Sequence, residues 1–230
     1  MILMIKLRGM YGFSKVLIKL LVSYLTNRKQ FIEIEGFRSV SFTPTSGVPQ
    51  GSNLGPLLFL LFINDLLNIL DCYKLAYADD LKIFCNITTL KDCSLLQHNI
   101  NLVSEWCDLN RLSLNVSKCF IMSYYTNKNP IEFDYQINEI SLIKKSQISD
   151  LGIMFDREFT FVPHVENVTS RASKMLGFVL RNCKLFINPS VIKTLFCSFV
   201  RSRLRVWLFN LESPLYLPCK HSGGCSEAFF

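Results

Sequence analysis

The 230-residue sequence lacks the features of a secreted or membrane protein. Its nine cysteines are an odd number without a Cys-x-x-Cys pair, which argues against a disulfide framework and a standard zinc site. The longest apolar run, residues 56–63, is far shorter than the roughly 20 residues of a membrane-spanning helix. The apolar first residues are interrupted by Lys and Arg, and no small-residue cleavage site follows them. These absences predict an intracellular protein, nuclear or cytoplasmic, without a signal peptide, a transmembrane segment or a membrane partner.

Acidic residues are missing from two parts of the chain. No Asp precedes Asp65, and only Glu33 and Glu35 are acidic in that part. Residues 171–205 contain no acidic residue but include eight basic ones: Arg171, Lys174, Arg181, Lys184, Lys193, Arg201, Arg203 and Arg205. The net charge of the chain is +7, and the positive charge of this segment is not balanced by any acidic residue within it. Such a segment indicates a polyanionic partner, although a solvated helix face would have the same composition.

Half of the residues are hydrophobic, which is enough for a sizeable core, and their spacing predicts an α+β fold. Ser14 and Asn188-Pro189 are helix start signals. The predicted helices follow the apolar spacing of residues 13–25, 57–70, 96–109, 165–179 and 189–199. The predicted strands are 32–34 and 40–42 around a turn at Gly36, 73–78, 81–87, 119–125, 140–143 and 151–155.

Two segments could carry chemistry. Residues 46–56 are rich in Gly and Pro, and Pro56 is well placed to open the helix that follows. A loop that meets a helix N-terminus is favourable for an anion. Asp79 and Asp80 lie between two short apolar runs, so we expect both in the turn of a hairpin. Two carboxylates together suit Mg²⁺, but an Asp pair is also common in ordinary turns.

Three blocks follow one another along the chain: Thr45-Ser-Gly-Val-Pro-Gln-Gly-Ser-Asn-Leu-Gly-Pro56, Phe62-Ile-Asn-Asp-Leu66 and Tyr77-Ala-Asp-Asp80. Their order and spacing resemble those of reverse transcriptases. Residues 114–119, residues 151–161 with His164, and residues 199–204 resemble later blocks of enzymes from non-LTR retrotransposons, especially the jockey-like LINE group. The resemblance covers approximately residues 3–213.

The resemblance implies the domain organisation. We expect residues 1–161 to form a partial right-hand polymerase palm, an antiparallel sheet backed by helices, without fingers or the first catalytic strand. Residues 162–207 would form a basic, helical, thumb-like region. Residues 208–230 lose helical periodicity and contain Pro, a Gly pair and small polar residues, so we predict a disordered tail there.

The resemblance also implies an RNA-directed DNA polymerase of a retrotransposon, a nucleotidyltransferase that uses two Mg²⁺ or Mn²⁺ ions. Asp79 would bind both ions directly, with Asp80 in support. Lys118 would protonate or screen the departing pyrophosphate, although a surface lysine at the start of a strand is an equal alternative. The binding site for the incoming nucleotide and the template base would be lined by Pro49, Gln50, Gly51, Tyr77 and Ala78.

The partners implied are an RNA template, a DNA primer and dNTPs. The nucleic-acid backbone would contact the basic segment through Arg171, Lys174, Arg181, Lys184, Arg201 and Arg203.

In one respect the sequence departs from the family. A reverse transcriptase carries an earlier block, whose Asp lies on a strand beside the Tyr-Ala-Asp-Asp hairpin. Glu33 and Glu35 are poor substitutes, because they alternate with Ile32 and Ile34 as a solvent face. We therefore expect that the chain begins after this block, that its sheet has an unpaired edge, and that it is inactive alone.

Two other interpretations are open. A degenerate remnant could bind nucleic acid through its basic helices without catalysis. A purely structural helical protein would not account for the ordered blocks. A partner that completes the palm is a further possibility, and its identity is unknown.

Overall fold

A computed structural model describes residues 2–125, 131–184 and 188–205, together with the main chain of residues 225–229. The helices are α1 (Ile2–Gly9), α2 (Lys15–Leu25), α3 (Leu54–Asn68), α4 (Leu90–Leu109), α5 (Val162–Asn182) and α6 (Pro189–Leu195). The strands are β1 (Glu33–Ile34), β2 (Phe37–Arg38), β3 (Tyr73–Tyr77), β4 (Asp80–Ile87), β5 (Phe120–Tyr124), β6 (Gln136–Ile137), β7 (Ile140–Ser141), β8 (Ile143–Lys144), β9 (Gln147–Asp150), β10 (Ile153–Asp156) and β11 (Cys225–Phe229). This mixture of helices and small sheets confirms the α+β class. None of the helices in the described ranges is long and apolar enough to span a membrane.

The largest sheet has five strands in the order β3-β4-β11-β5-β8. β11 is antiparallel to β4 and to β5, whereas β8 is parallel to β5. The expectation of a purely antiparallel sheet is therefore wrong for β8. The chain passes through the β6–β7 hairpin after β5 and returns to the first residue of β5, where Ile143 is the partner of Phe120.

The chain divides into two compact units. The first consists of Met1–Leu81 and Asn101–Leu114, and the second of Lys82–Ile100 and Asn115–Phe230. This division differs from the expected boundary at residue 161. That boundary separates the predicted palm from the predicted thumb-like region, and it stays a prediction. Each unit has its own buried core.

The first unit is organised around a buried lysine. The Lys6 ammonium lies 2.7 Å from a carboxylate oxygen of Asp65 and donates a 2.9 Å hydrogen bond to the carbonyl of Phe62. It also lies 4.6 Å and 4.3 Å from the ring centroids of Phe62 and Trp106. Lys6 is only 8 % exposed. A buried ammonium needs such compensation, and here it joins α1 to α3 and to the last part of α4.

The second unit packs β5 against the β9–β10 hairpin. Its core cluster consists of the buried residues Met122, Tyr124, Ile148, Ile153 and Phe155. A second buried pair, between the Lys82 ammonium and the Asp150 carboxylate, joins β4 to β9.

His164 joins α5 to β10. Its Nδ1 accepts a 3.2 Å hydrogen bond from the backbone N–H of Met154. Burial, with a smaller effect from the positive charge of Arg171, lowers the pKa of the His164 imidazole below its ordinary value. His164, which accompanies the block at residues 151–161, thus connects helix α5 to strand β10.

The predicted helices are confirmed, but α3, α4 and α5 begin three to six residues before the predicted stretches. Ser14 caps α2 by accepting a hydrogen bond from the N–H of Leu17, and Asn188 caps α6 in the same way. α3 begins at Leu54, three residues before the predicted start. Pro56 is tolerated in that first turn, because its missing N–H would have no partner within the helix.

The strand predictions need several corrections. The second strand of the first hairpin is Phe37–Arg38 and not residues 40–42, and residues 140–143 are divided between β7 and β8. The strand predicted from Leu151 begins only at Ile153, because Leu151 and Gly152 form a left-handed turn with φ of +46° and +86°. The prediction of a disordered tail at 208–230 is wrong for Cys225–Phe229, which form β11. The rest of that range lies outside the described residues. We expected an unpaired strand edge in this sheet. The edge of β4 that does not pair with β3 is instead paired with β11.

We predict that Asp65→Ala lowers the free energy of unfolding by about 3 kcal/mol, because it leaves the Lys6 ammonium buried beside aromatic rings without its counter-charge. Urea titration followed by circular dichroism measures this loss. The matched control is Glu33→Ala, which breaks the exposed pair with Arg38 and should cost below about 1 kcal/mol. Similar losses in the two variants would contradict the proposed importance of the buried pair.

Stability should also fall in mildly acidic solution. The pKa of His164 in the folded protein lies below its unfolded value near 6.5. Its contribution to the free energy of unfolding is therefore complete above pH 6.5 and is lost as pH falls from there through the folded pKa. A slope of at most about 1.4 kcal/mol per pH unit is expected for one proton. Urea titrations from pH 7.5 to 5 should show a flatter profile for His164→Leu. Asp92 titrates outside this range, because hydrogen bonds from Thr88 and Thr89 lower its pKa to about 2. An unchanged slope in the variant would contradict the assignment.

Candidate active site

The paired carboxylates lie at the tip of the β3–β4 hairpin. β3 ends at Tyr77, Ala78 and Asp79 form a two-residue turn, and Asp80 is the first residue of β4. The expectation that both aspartates lie in the turn is therefore correct only for Asp79. Ala78 adopts a left-handed φ of +53°, which is costly for a residue with a side chain.

Asp79 and Asp80 are both exposed. Neither carboxylate forms a hydrogen bond or an ion pair within the described part of the chain. Tyr77 and Ala78, which precede them, are also exposed. Two adjacent negative charges without a compensating group repel one another, and a bound cation would remove this cost.

The donor set fits part of a divalent-cation site. Mg²⁺ is commonly held by one or two carboxylates, with water and substrate phosphates as its other ligands. Asp79 and Asp80 supply two such hard donors. Among the described residues, no group of three or more His, Cys, Asp or Glu side chains could hold a metal ion. The hairpin can therefore contribute two protein ligands.

The Gly- and Pro-rich loop has a defined hydrogen-bonded shape. The Ser52 hydroxyl donates to the carbonyl of Pro49 at 2.7 Å and accepts from the N–H of Gly55 at 3.1 Å. A Cβ at Gly55 would lie 3.0 Å from the Ser52 hydroxyl oxygen and 3.1 Å from the Pro49 carbonyl oxygen, so these atoms would have to shift by a few tenths of an ångström. Gly51 has a φ of +77°, a conformation that favours glycine. Pro49 is half-buried, whereas Gln50 and Gly51 are exposed.

The same loop is attached to the end of α2. The Arg28 guanidinium donates to the carbonyl of Gly47 at 2.9 Å and to the carbonyl of Leu25 at 3.1 Å. Val48 packs against the buried cluster of Leu7, Leu21 and Leu58. The position of the loop is thus set by one charged and one apolar side chain, and sequence reasoning identified neither contact.

Lys118 belongs to the second unit. It is the last residue of a 3₁₀ turn, Val116–Lys118, directly before β5, and its side chain is exposed. Its N–H donates to the carbonyl of Asn115 at 2.9 Å. The geometry is equally compatible with a surface lysine and with a group that reaches an external phosphate.

The basic residues also lie in the second unit, and all eight are exposed. Arg171, Lys174 and Arg181 are on one side of α5, because intervals of three and seven residues return to a similar direction on a helix. Arg201 ends a π-helical segment, Phe196–Arg201. None of the ion pairs found within the described ranges includes these eight residues. Their charge is available to an external polyanion.

Sequence reasoning missed the role of Asp65. Its carboxylate compensates the buried Lys6 ammonium. The two residues are 59 positions apart, so local spacing carries no signal of the pair.

Comparisons with known proteins agree with the blocks in the sequence. Residues 8–180 match the family model described as "Reverse transcriptase (RNA-dependent DNA polymerase)". No solved structure matches the chain.

Among curated proteins, the chain is 29 % identical to "RNA-directed DNA polymerase from mobile element jockey" of Drosophila funebris. This match covers 77 % of the chain and 21 % of the relative. Identity is 26 % to "Probable RNA-directed DNA polymerase from transposon BS" of Drosophila melanogaster, over 84 % of the chain and 22 % of that protein. The chain thus spans about a fifth of the length of these relatives.

The family match covers most of the chain and includes the Gly- and Pro-rich loop, the paired aspartates and Lys118. With its similarity to the jockey-element protein, this match establishes that the chain belongs to the reverse transcriptase (RNA-dependent DNA polymerase) family.

Proposed function

We propose that this chain is the part of a retrotransposon RNA-directed DNA polymerase that holds catalytic metal and contacts the primer–template. The observation that carries the proposal is the pair Asp79 and Asp80, exposed and uncompensated at a hairpin tip, in a chain of the reverse transcriptase family. Palm and thumb-like roles for residues 1–161 and 162–207 belong to the same proposal.

In this function Asp79 and Asp80 would hold divalent cations, Mg²⁺ or Mn²⁺. When bound, such ions activate a primer 3′-hydroxyl and stabilise the pyrophosphate that leaves the dNTP. Pro49, Gln50 and Gly51 would line the nucleotide and template base, where the missing side chain of Gly51 allows close approach to the backbone. Lys118 would offer an ammonium to the pyrophosphate.

The basic residues of the second unit would contact the nucleic-acid backbone. Arg171, Lys174, Arg181, Lys184, Arg201 and Arg203 are exposed in a segment without acidic residues. Phosphate contacts do not depend on base sequence, so the same surface supports a second candidate function, nucleic-acid binding without catalysis.

We further propose that the chain does not polymerise alone. Two carboxylates are fewer ligands than two divalent ions and a triphosphate ordinarily require. Primer extension with Mg²⁺, an RNA template and a DNA primer should give no more product than the double variant Asp79→Asn/Asp80→Asn. Product that depends on these two aspartates would overturn this part of the proposal.

Metal binding can be tested directly with Tb³⁺, whose luminescence Tyr77 would sensitise because it is next to the turn in sequence. Asp79→Asn and Asp80→Asn should each weaken Tb³⁺ binding on the order of tenfold, or ~1.4 kcal/mol. Mg²⁺ and Mn²⁺ should compete for the site. The control is Asp108→Asn, which removes another exposed carboxylate of the first unit, near the end of α4. Equal weakening in the control would contradict a site at the hairpin tip.

Nucleic-acid binding can be tested by its salt dependence. For a fluorescent RNA–DNA hybrid, Arg171→Gln/Lys174→Gln should reduce the slope of log Kd against log salt concentration by about 1 to 2, since each phosphate contact contributes roughly 0.7 to 0.9. Lys15→Gln/Lys19→Gln removes the same charge from exposed positions on α2 and should leave the slope nearly unchanged. Equal slopes in the two double variants would contradict a specific role for the basic segment.

A further inference from the structure

The central strand of the largest sheet comes from a remote part of the chain. β11 lies between β4 and β5, and its five residues are all paired with residues 83–87 of β4. Four of them are also paired with residues 121–124 of β5. More than a hundred positions separate β11 from either neighbour in sequence, so a short remote segment fills the middle of the sheet.

The β5 side of this position is held by other elements. On its far edge β5 pairs with β8, and the N–H of Lys145 donates to the carbonyl of Ile121 at 2.9 Å. Met122 and Tyr124 are buried in the core cluster with residues of β9 and β10. The position of β5 therefore does not depend on β11 alone.

The β4 side is also anchored within the second unit. The Lys82 ammonium pairs with the Asp150 carboxylate of β9, and Phe84 packs against the same core cluster as β5. Both strands are thus attached to the β9–β10 hairpin. One strand fits between them, because strands two places apart in a sheet lie roughly 10 Å from one another. We call this space the β4–β5 slot.

The register defines which side chains suit the slot. Cys225, Glu227 and Phe229 are opposite Ile87, Cys85 and Ile83, and these three residues of β4 are all buried. Directly opposite residues lie on the same face of a sheet. On this face the slot presents three buried residues of β4, so apolar residues at the first, third and fifth positions of an occupant would suit it.

We propose that the β4–β5 slot is a binding site for an extended peptide, and that Cys225–Phe229 of the same chain are its exchangeable occupant. Main-chain pairing on both sides provides the affinity, while apolar residues at the first, third and fifth positions provide the preference. An empty slot would leave two strand edges with unpaired N–H and carbonyl groups, so the sheet requires an occupant. This proposal does not depend on polymerase function.

A cross-link in the full chain tests whether its own segment occupies the slot. Glu227→Cys introduces a thiol opposite Cys85, and oxidation with diamide should form an intramolecular disulfide between these positions. The control is Ser226→Cys, whose partners are Asn86 and Tyr124, and it should not link to Cys85. Non-reducing electrophoresis and mass spectrometry of proteolytic peptides distinguish the products. A link between two copies, or equal linkage in both variants, would overturn occupancy by the same chain, as would no link.

Exchange is tested with a fluorescein-labelled peptide that has the sequence of residues 221–230 and the change Glu227→Val. Its anisotropy should rise on binding to the full Glu227→Cys chain in the reduced state. Binding should be at least tenfold weaker after the disulfide has locked the slot, and dithiothreitol should restore it. Wild-type chain treated with diamide controls for oxidation elsewhere. Equal binding to locked and reduced chains, or no binding to either, would overturn the proposal.

Discussion

Backbone pairing along β4 is the constraint on which the rest of the sheet depends. The strand begins at Asp80, forms a hairpin with β3 and pairs with β11 along its other edge. A shift of its register by one residue would turn Ile83, Cys85 and Ile87 away from the core and separate Lys82 from Asp150. The position of Asp80 at the hairpin tip is therefore fixed by the burial of residues that follow it in the same strand.

Predictions from the sequence were most accurate where the determining interactions are local. α2 and α6 begin where Ser14 and Asn188 can accept a hydrogen bond from a nearby backbone N–H. The errors at Pro56 and Leu151 have equally local causes. Pro is allowed anywhere in the first helical turn, and a left-handed turn can begin at a residue that composition alone assigns to a strand.

Interactions between distant residues could not be predicted in this way. Lys6 and Asp65 are 59 positions apart, and Lys82 and Asp150 are 68 apart. Neither pair has a spacing that indicates contact. The segment Cys225–Phe229 has Ser, Glu and Ala at its three central positions, so its apolar pattern is too weak to predict a strand. Pairing on both sides outweighs this poor local preference, because it satisfies the main chain of three strands.

The candidate site depends both on local sequence and on interactions between distant residues. Order and spacing of residues located Asp79, Asp80 and the Gly- and Pro-rich loop, and they identified the family. They could not reveal that Arg28 and Val48 hold the loop to the first unit, or that a side chain at Gly55 would crowd the Pro49 carbonyl. Exposure of the two aspartates was likewise a result of the fold.

That exposure bears on why the two aspartates occupy this turn. Gly at the first turn position would adopt the left-handed φ of Ala78 at lower cost, and an uncharged residue at the second position would avoid adjacent negative charges. Ala78, Asp79 and Asp80 are therefore not the residues that a purely structural turn would favour. Electrostatic repulsion and backbone strain are both present at this tip, and a divalent cation would relieve the first of them. The sequence at the hairpin tip therefore supports the proposed cation site more than a purely structural turn.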